Sequence, residues 1–312
     1  MKLHVLIDNL PNPANHNLLH EHGLCILLSL NGNNFLIDTG ASGKFLENLQ
    51  LLRESDNSLP LATEIDAVII SHGHNDHTGG LRRFFEHNSS APVYLHNSIR
   101  GNYFYSCRPK NGIREARNIG MEQALFIDHG HRFIELEEPM QLCGQITLLL
   151  AHHSANPSSI TPTYPTPMGN EFLYKNDFPD DFSHELIILI EYSTGCYAVV
   201  SPCTHNGILN VLEVCVEHIA KLSGRERKEC AAMIKLFVGG LHYVDYLGMG
   251  HGKKETASII ETANLVKDMY PCMKIFSGHC TCSNAGNTLE CILEERYSTF
   301  YCGCSILASR TS

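Results

Sequence analysis

His72-Gly73-His74-Asn75-Asp76-His77 is the stretch whose reading decides the fold. It follows the apolar run Asp66-Ala67-Val68-Ile69-Ile70-Ser71 and precedes Thr78-Gly79-Gly80 and Leu81-Arg82-Arg83-Phe84-Phe85. That order predicts a buried strand, a loop, a turn and a helix. Residues two apart in an extended segment project to one side, so His72 and His74 point the same way. Asp76 and His77 lie past the bend and can aim at a second point nearby. A lone loop histidine is ordinarily solvated or hydrogen-bonded. Three imidazoles and a carboxylate this close together form a donor set suited to zinc, iron or manganese.

Working outward, Asn31-Gly32-Asn33-Asn34 joins apolar runs at residues 24–30 and 35–38, a hairpin signature. Residues 45–52 read as a helix with Leu46, Leu49 and Leu52 on one stripe. Strands are predicted at residues 66–70, 92–96, 146–151, 186–192, 196–201, 235–238 and 273–277, with a last edge strand within 299–307. A helix from 208 carries Ile208, Leu212, Cys215, Val216 and Ile219 at 3.6-residue spacing, with Thr204 or Asn206 able to cap it. A second amphipathic helix spans 254–269 and ends near Pro271. Residues 97–132 read as an insertion, partly helical. Residues 154–183, rich in Pro, Ser, Thr and Asp, read as a long functional loop. Hairpins dominate the first half and alternating strands and helices the second. This predicts an α/β (α+β) class with helices outside packed sheets, and one domain over 1–312 with insertions at 97–132 and 154–183.

The 312 residues are 43% hydrophobic and 18% charged, enough for a sizeable core and too few charges for long disordered tails. A formal charge of -10 argues against a nucleic-acid binder. No apolar run approaches the roughly 20 residues of a membrane helix, so no membrane partner is expected. The first eight residues are too short and too polar for a secretory signal. Thirteen cysteines, an odd and scattered set, are expected as reduced thiols in a cytoplasmic protein. The pairs Cys280-x-Cys282 and Cys302-x-Cys304 read as core or surface thiols. No Walker loop or dinucleotide fingerprint stands out.

The HxHxDH motif, with Asp38-Thr39-Gly40 upstream, resembles the metallo-β-lactamase superfamily. Glu21-His22-Gly23-Leu24, Ser201-Pro202-Cys203-Thr204-His205-Asn206-Gly207-Ile208, Val238-Gly239-Gly240-Leu241-His242 and Ser277-Gly278-His279-Cys280-Thr281 narrow the resemblance to one branch of metal-dependent hydrolases. That branch includes a methanopterin-pathway synthase, which joins a dihydropterin to a ribofuranosyl-aminobenzene phosphate. The resemblance implies a four-layer αββα sandwich and two divalent transition metals, zinc first, with iron or manganese as alternatives. One loop cannot fill two coordination shells, and His205 and His279, each ending an apolar strand, are the best additions. The ligand set is therefore His72, His74, Asp76, His77, His205 and His279. Cys203 stands where relatives carry a bridging Asp, and is either a thiolate ligand or an inert buried thiol. Asp38 either orients a ligating histidine or bonds its own turn. His242, after Gly239-Gly240, is expected to face substrate, as are Tyr164, Phe172 and Tyr174. His184 is a further candidate, and His152 and His153 are taken as structural.

The implied activity is hydrolysis of a small-molecule ester, lactone, thioester or phosphoester by a metal-activated water, with Asp76 and His242 as catalytic residues. The alternatives are a pterin-pathway transferase and a non-catalytic metal-binding or redox-sensing protein.

Overall fold

The computed structural model describes residues 1–109, 115–151, 164–245 and 252–308. The chain falls into two compact units, neither contiguous. One comprises Met1–Glu137, Glu171–His184 and Phe300–Ser312; the other comprises Glu138–Asn170 and Glu185–Thr299.

The first unit is built on a seven-stranded sheet in the order Ser305–Leu307, Lys2–Ile7, Cys25–Leu30, Asn33–Ile37, Ala67–Ile69, Val93–His96, Phe133–Leu136. Antiparallel pairing holds up to Asn33–Ile37, and parallel pairing follows. The hairpin forms as its sequence predicts. Asn31 and Gly32 both take positive φ, 51° and 85°, which matches the twist of the strands they join. Helices Lys44–Ser55 and Leu81–His87 bury Phe45, Leu49, Leu81 and Phe84 against Leu6, Leu27, Val68 and Val93.

A parallel neighbour matters functionally because it sends both carboxyl ends to the same sheet edge. Asn33–Ile37 therefore delivers Asp38 beside the residues that follow Ala67–Ile69, which are the HxHxDH loop. A smaller four-stranded sheet runs Phe178–Pro179, Leu173–Lys175, Phe104–Ser106, Arg117–Asn118. It includes Phe104–Ser106 and Arg117–Asn118 of the 97–132 stretch, and the later part of the long Pro-rich segment forms its antiparallel hairpin. Residues 152–163, with His152 and His153, lie outside the described residues.

The second unit has its own seven-stranded sheet: Tyr297–Thr299, Lys274–Ser277, Ile234–Val238, Cys196–Val200, Leu186–Ser193, Ile146–Leu150, Met140–Cys143. The first four strands are mutually parallel and the rest antiparallel. Helix Ile208–Ser223 buries the five residues of its predicted stripe. With helices Lys253–Met269 and Ser283–Leu293 it covers Ile187, Val199, Phe237 and Ile275.

Several expectations change. Helices Arg227–Met233 and Ser283–Leu293 stand where no helix was read. Gly207, at φ 82°, precedes helix Ile208–Ser223, and neither Thr204 nor Asn206 caps it. The expected last strand is two strands in different units: Tyr297–Thr299 ends the second sheet and Ser305–Leu307 pairs with Lys2–Ile7. None of the thirteen cysteines is in a disulfide. Cys302 is a packing thiol that accepts the Asp8 amide at 3.1 Å, and burial pushes it up to about 12.

His4, on the strand Lys2–Ile7, meets Ser305 Oγ at 2.9 Å through Nδ1. Burial, helped by Lys2 and opposed by Asp56, pulls it down to about 4. An unfolded histidine takes its proton near ~6.5. Between these values the unfolded chain binds more protons, so stability falls as pH falls through the window. His4→Leu should make this dependence shallower by about one proton, measured as urea midpoints from pH ~7 to ~4. Equal slopes would show that His4 protonates freely in the folded state.

Candidate metal centre

In the first unit, Asp38 is fully buried and takes φ 58°. Its Oδ1 accepts the Ser71 amide at 2.7 Å, and its Oδ2 accepts the Ser71 hydroxyl at 2.7 Å and meets His77 Nδ1 at 2.6 Å. Ser71 Oγ, its proton given to Asp38, meets His72 Nδ1 at 2.9 Å. A hydroxyl has one proton to donate, so Oγ accepts from His72. Both His72 and His77 then carry a proton on Nδ1, so Nε2 is the nitrogen each would offer a metal. Asp38 thus bonds Ser71 and His77, residues far from its own turn.

His72 Nε2 lies 3.1 Å from His74 Nδ1, and the His72 ring centroid lies 4.6 and 4.2 Å from those of His74 and His77. Two nitrogens on one tetrahedral zinc stand about 3.3 Å apart. Burial pulls His74 down to about 3, against the opposing pull of Asp76 and Asp180, so this imidazole is neutral. A dense group of imidazoles beside a fixed carboxylate fits a divalent metal. Asp76 is partly exposed, with Oδ2 3.4 Å from His22 Nε2 and 3.7 Å from His77 Nε2.

Gly73, between the two histidines, is held from behind. Its amide donates to His184 Nδ1 at 3.1 Å, so that nitrogen is the acceptor and His184 Nε2 carries the proton. Nε2 sits 3.1 and 3.2 Å from the Asp180 oxygens, and Asp180 Oδ2 lies 3.9 Å from His74 Nε2. Burial alone would raise the Asp180 carboxyl, but His184, His74 and the Phe182 amide hold it below the usual range. A Cβ at Gly73 would stand 2.6 Å from the Phe104 ring. Asp180 was missed in the sequence because it sits in an ordinary acidic loop; only the hairpin returns it to the motif.

In the second unit, three parallel strands deliver donors to one edge: Cys196–Val200 leads to Cys203 and His205, Ile234–Val238 to His242, and Lys274–Ser277 to His279 and Cys280. All five are buried. Ligand atoms of Cys203, His205 and His242 lie within 4.8 Å of one another, as do those of Cys203, His279 and Cys280. Thr204, His242 and His279 take φ of 52°, 53° and 51°, a conformation that non-glycine residues keep only where surroundings impose it.

His205 is fixed on two sides. Asn170 Nδ2 donates to its carbonyl at 2.8 Å, which leaves Asn170 Oδ1 to accept from His205 Nδ1 at 3.2 Å and Nε2 as the nitrogen that would meet a metal. The buried Glu185 carboxylate accepts the His205 amide at 2.8 Å and the Asn206 amide and side chain at 3.0 and 2.6 Å. His242 meets Cys203 Sγ at 3.4 Å through Nδ1, and its ring centroid lies 4.1 Å from that of His205. It stands among the donors at this strand edge. Tyr164 bonds Asn210 and lies 3.8 Å from Met269 Sδ, against the helix layer.

A profile of the metallo-beta-lactamase superfamily matches residues 20–106. The chain is 31% identical over 257 residues to an uncharacterized protein of Methanocaldococcus jannaschii, covering 77% of this chain and 78% of that one. It is also 25% identical over 294 residues to 7,8-dihydropterin-6-methyl-4-(beta-D-ribofuranosyl)-aminobenzene-5'-phosphate synthase of the same organism, covering 91% and 88%. Among solved structures, a metal-dependent hydrolase of the beta-lactamase superfamily superposes with a TM-score of 0.69 at 23% identity, over 99% of both chains. The chain therefore belongs to the metallo-β-lactamase superfamily and has its mixed α/β fold. Divalent metal binding comes with that membership, and the donor chemistry above is consistent with it.

Asp38→Asn should lower metal affinity about 10- to 100-fold with the fold retained, because one neutral amide cannot hold both Ser71 and His77 as acceptor. Competition with a chromophoric chelator, with circular dichroism as the control, measures this. Unchanged affinity would confine Asp38 to its turn.

Proposed function

We propose that this chain is a metal-dependent hydrolase acting on a small-molecule ester, lactone, thioester or phosphoester. The observation that carries the reading is the pair His72 and His77, each fixed through Nδ1, by Ser71 and by Asp38. The proposed ligands are His72, His74, Asp76, His77, His205 and His279, with Cys203 as a further candidate. A bound divalent metal supplies Lewis acidity and lowers the pKa of water from ~15.7 to about 7.

The protein's own groups do the rest. Asp38 and Asn170 set imidazole tautomers in their respective units. Asp76, partly exposed and flanked by His22 and His77, orients the attacking water and takes its proton. His242 contacts the substrate. The acidic balance of the chain supports a small-molecule substrate over a nucleic acid. The unbridged cysteines support a reducing compartment. No helix among the described residues is long and apolar enough to cross a membrane.

A second reading is favoured by the synthase relative, which matches along most of both chains. There the same donors serve an acceptor or leaving group in place of water, and a dihydropterin is required.

Metal-replete protein should contain about two equivalents of divalent metal, since six ligands exceed the four of one closed tetrahedral site. Elemental analysis saturating near one would overturn the dinuclear arrangement. His72→Ala and His205→Ala should each lose metal and reduce turnover to background. An ester, lactone, thioester and phosphoester panel tests the hydrolase. Turnover only with a dihydropterin co-substrate selects the second reading, and none at full metal occupancy overturns both.

A further inference from the structure

The second unit holds a donor chemistry that the HxHxDH loop lacks. Cys203 Sγ lies 3.4 Å from Cys280 Sγ, and a ring nitrogen of His279 lies within 4.8 Å of both sulfurs. On one tetrahedral zinc, with Zn–S near ~2.3 Å and Zn–N near ~2.0 Å, two sulfurs stand about 3.8 Å apart and a sulfur and nitrogen about 3.5 Å. The observed spacing needs only small movements to reach that arrangement.

The backbone is shaped around Cys280. The His242 amide donates to Cys280 Sγ at 3.2 Å, which fixes the sulfur beside Cys203. A Cβ at Gly240 would stand 2.4 Å from the same sulfur, so glycine is what lets the two loops close on it. His279 is held at φ 51° next to it. The other CxC pair behaves differently: Cys302 bonds Asp8, and no ligand group among the described residues includes Cys302 or Cys304.

We propose that Cys203, Cys280 and His279 form a thiolate-bearing metal site that selects zinc over manganese or magnesium. Thiolates favour zinc, whereas manganese and magnesium favour carboxylate, carbonyl and water oxygens. The inference rests on the reading that the chain takes up divalent metal, and adds the donor atoms and hence the identity of the ion. On uptake each cysteine loses its S–H proton to solvent and forms one metal–sulfur bond, with no change of oxidation state.

The test titrates reduced, metal-stripped full-length protein with cobalt(II) and reads the near-ultraviolet thiolate-to-cobalt charge-transfer band. The band should appear in the wild type, in His72→Ala and in Cys272→Ser, an exposed thiol. It should fall by about half in Cys203→Ser and in Cys280→Ser, each of which removes one of two metal–sulfur bonds. Zinc should abolish it by displacement and manganese should not. X-ray absorption of the zinc-loaded wild type needs no variant that must fold, and should show a zinc–sulfur shell near ~2.3 Å. Cobalt uptake without the band, or zinc with only nitrogen and oxygen neighbours, overturns the thiolate site and leaves the metal-dependent hydrolase standing. No cobalt uptake at all overturns both.

Discussion

The buried carboxylate of Asp38 is the constraint on which the first unit's chemistry depends. It is removed from water, and it is stable there because it accepts the Ser71 amide, the Ser71 hydroxyl and His77 Nδ1–H. Those bonds direct protons as well as holding atoms. Because the Ser71 hydroxyl donates to Asp38, Ser71 must accept from His72, and because His77 donates to Asp38 through Nδ1, Nε2 is the nitrogen that ring would offer a metal. One carboxylate thus sets the tautomers of two imidazoles, one through a hydroxyl. It can do so because Asn33–Ile37 and Ala67–Ile69 are parallel neighbours, so residues far apart in sequence emerge at one edge.

The second unit solves the same problem with a neutral amide and an internal carboxylate. Asn170 is read unambiguously because its NH2 must face a carbonyl, which turns its oxygen toward His205 Nδ1. Glu185 gathers two backbone amides and an amide side chain of the loop that carries His205. It holds that loop's path, leaving the imidazole for Asn170 to orient. Cys203, His242, His279 and Cys280 then arrive from adjacent parallel strands, with left-handed backbone at His242 and His279. Strain of that kind persists only where the neighbouring structure over-determines it.

The two donor sets differ in softness. The first is imidazole and carboxylate, which zinc, iron and manganese all accept. The second contains paired sulfurs, which narrows the choice toward zinc. Superfamily membership accounts for divalent metal in general, and any preference for one ion would come from which side chains these particular loops carry. Substrate choice lies beyond both sets, in the groups that surround them.

The sequence by itself determined the local elements and the first donor loop. The Asn31-Gly32 hairpin, the strand before His72 and the helix stripe from Ile208 to Ile219 follow from backbone permissiveness and hydrophobic period, which act over a few residues. HxHxDH was legible for the same reason, since its donors are neighbours in the chain. His205 and His279 were nameable because each ends an apolar strand. What tertiary structure alone decided is every relation across a long loop. His184 reaches Gly73, and Asp180 reaches His184, only because a hairpin pairs with Phe104–Ser106. Cys280 meets Cys203 across 77 residues, so its CxC spacing said nothing of its partner. The final segment divided between two sheets, although its composition read as one edge strand. Periodicity and turn chemistry report on a few neighbouring residues, whereas a site assembled from strand ends depends on which strands pair, and pairing is settled by the packing of the whole unit.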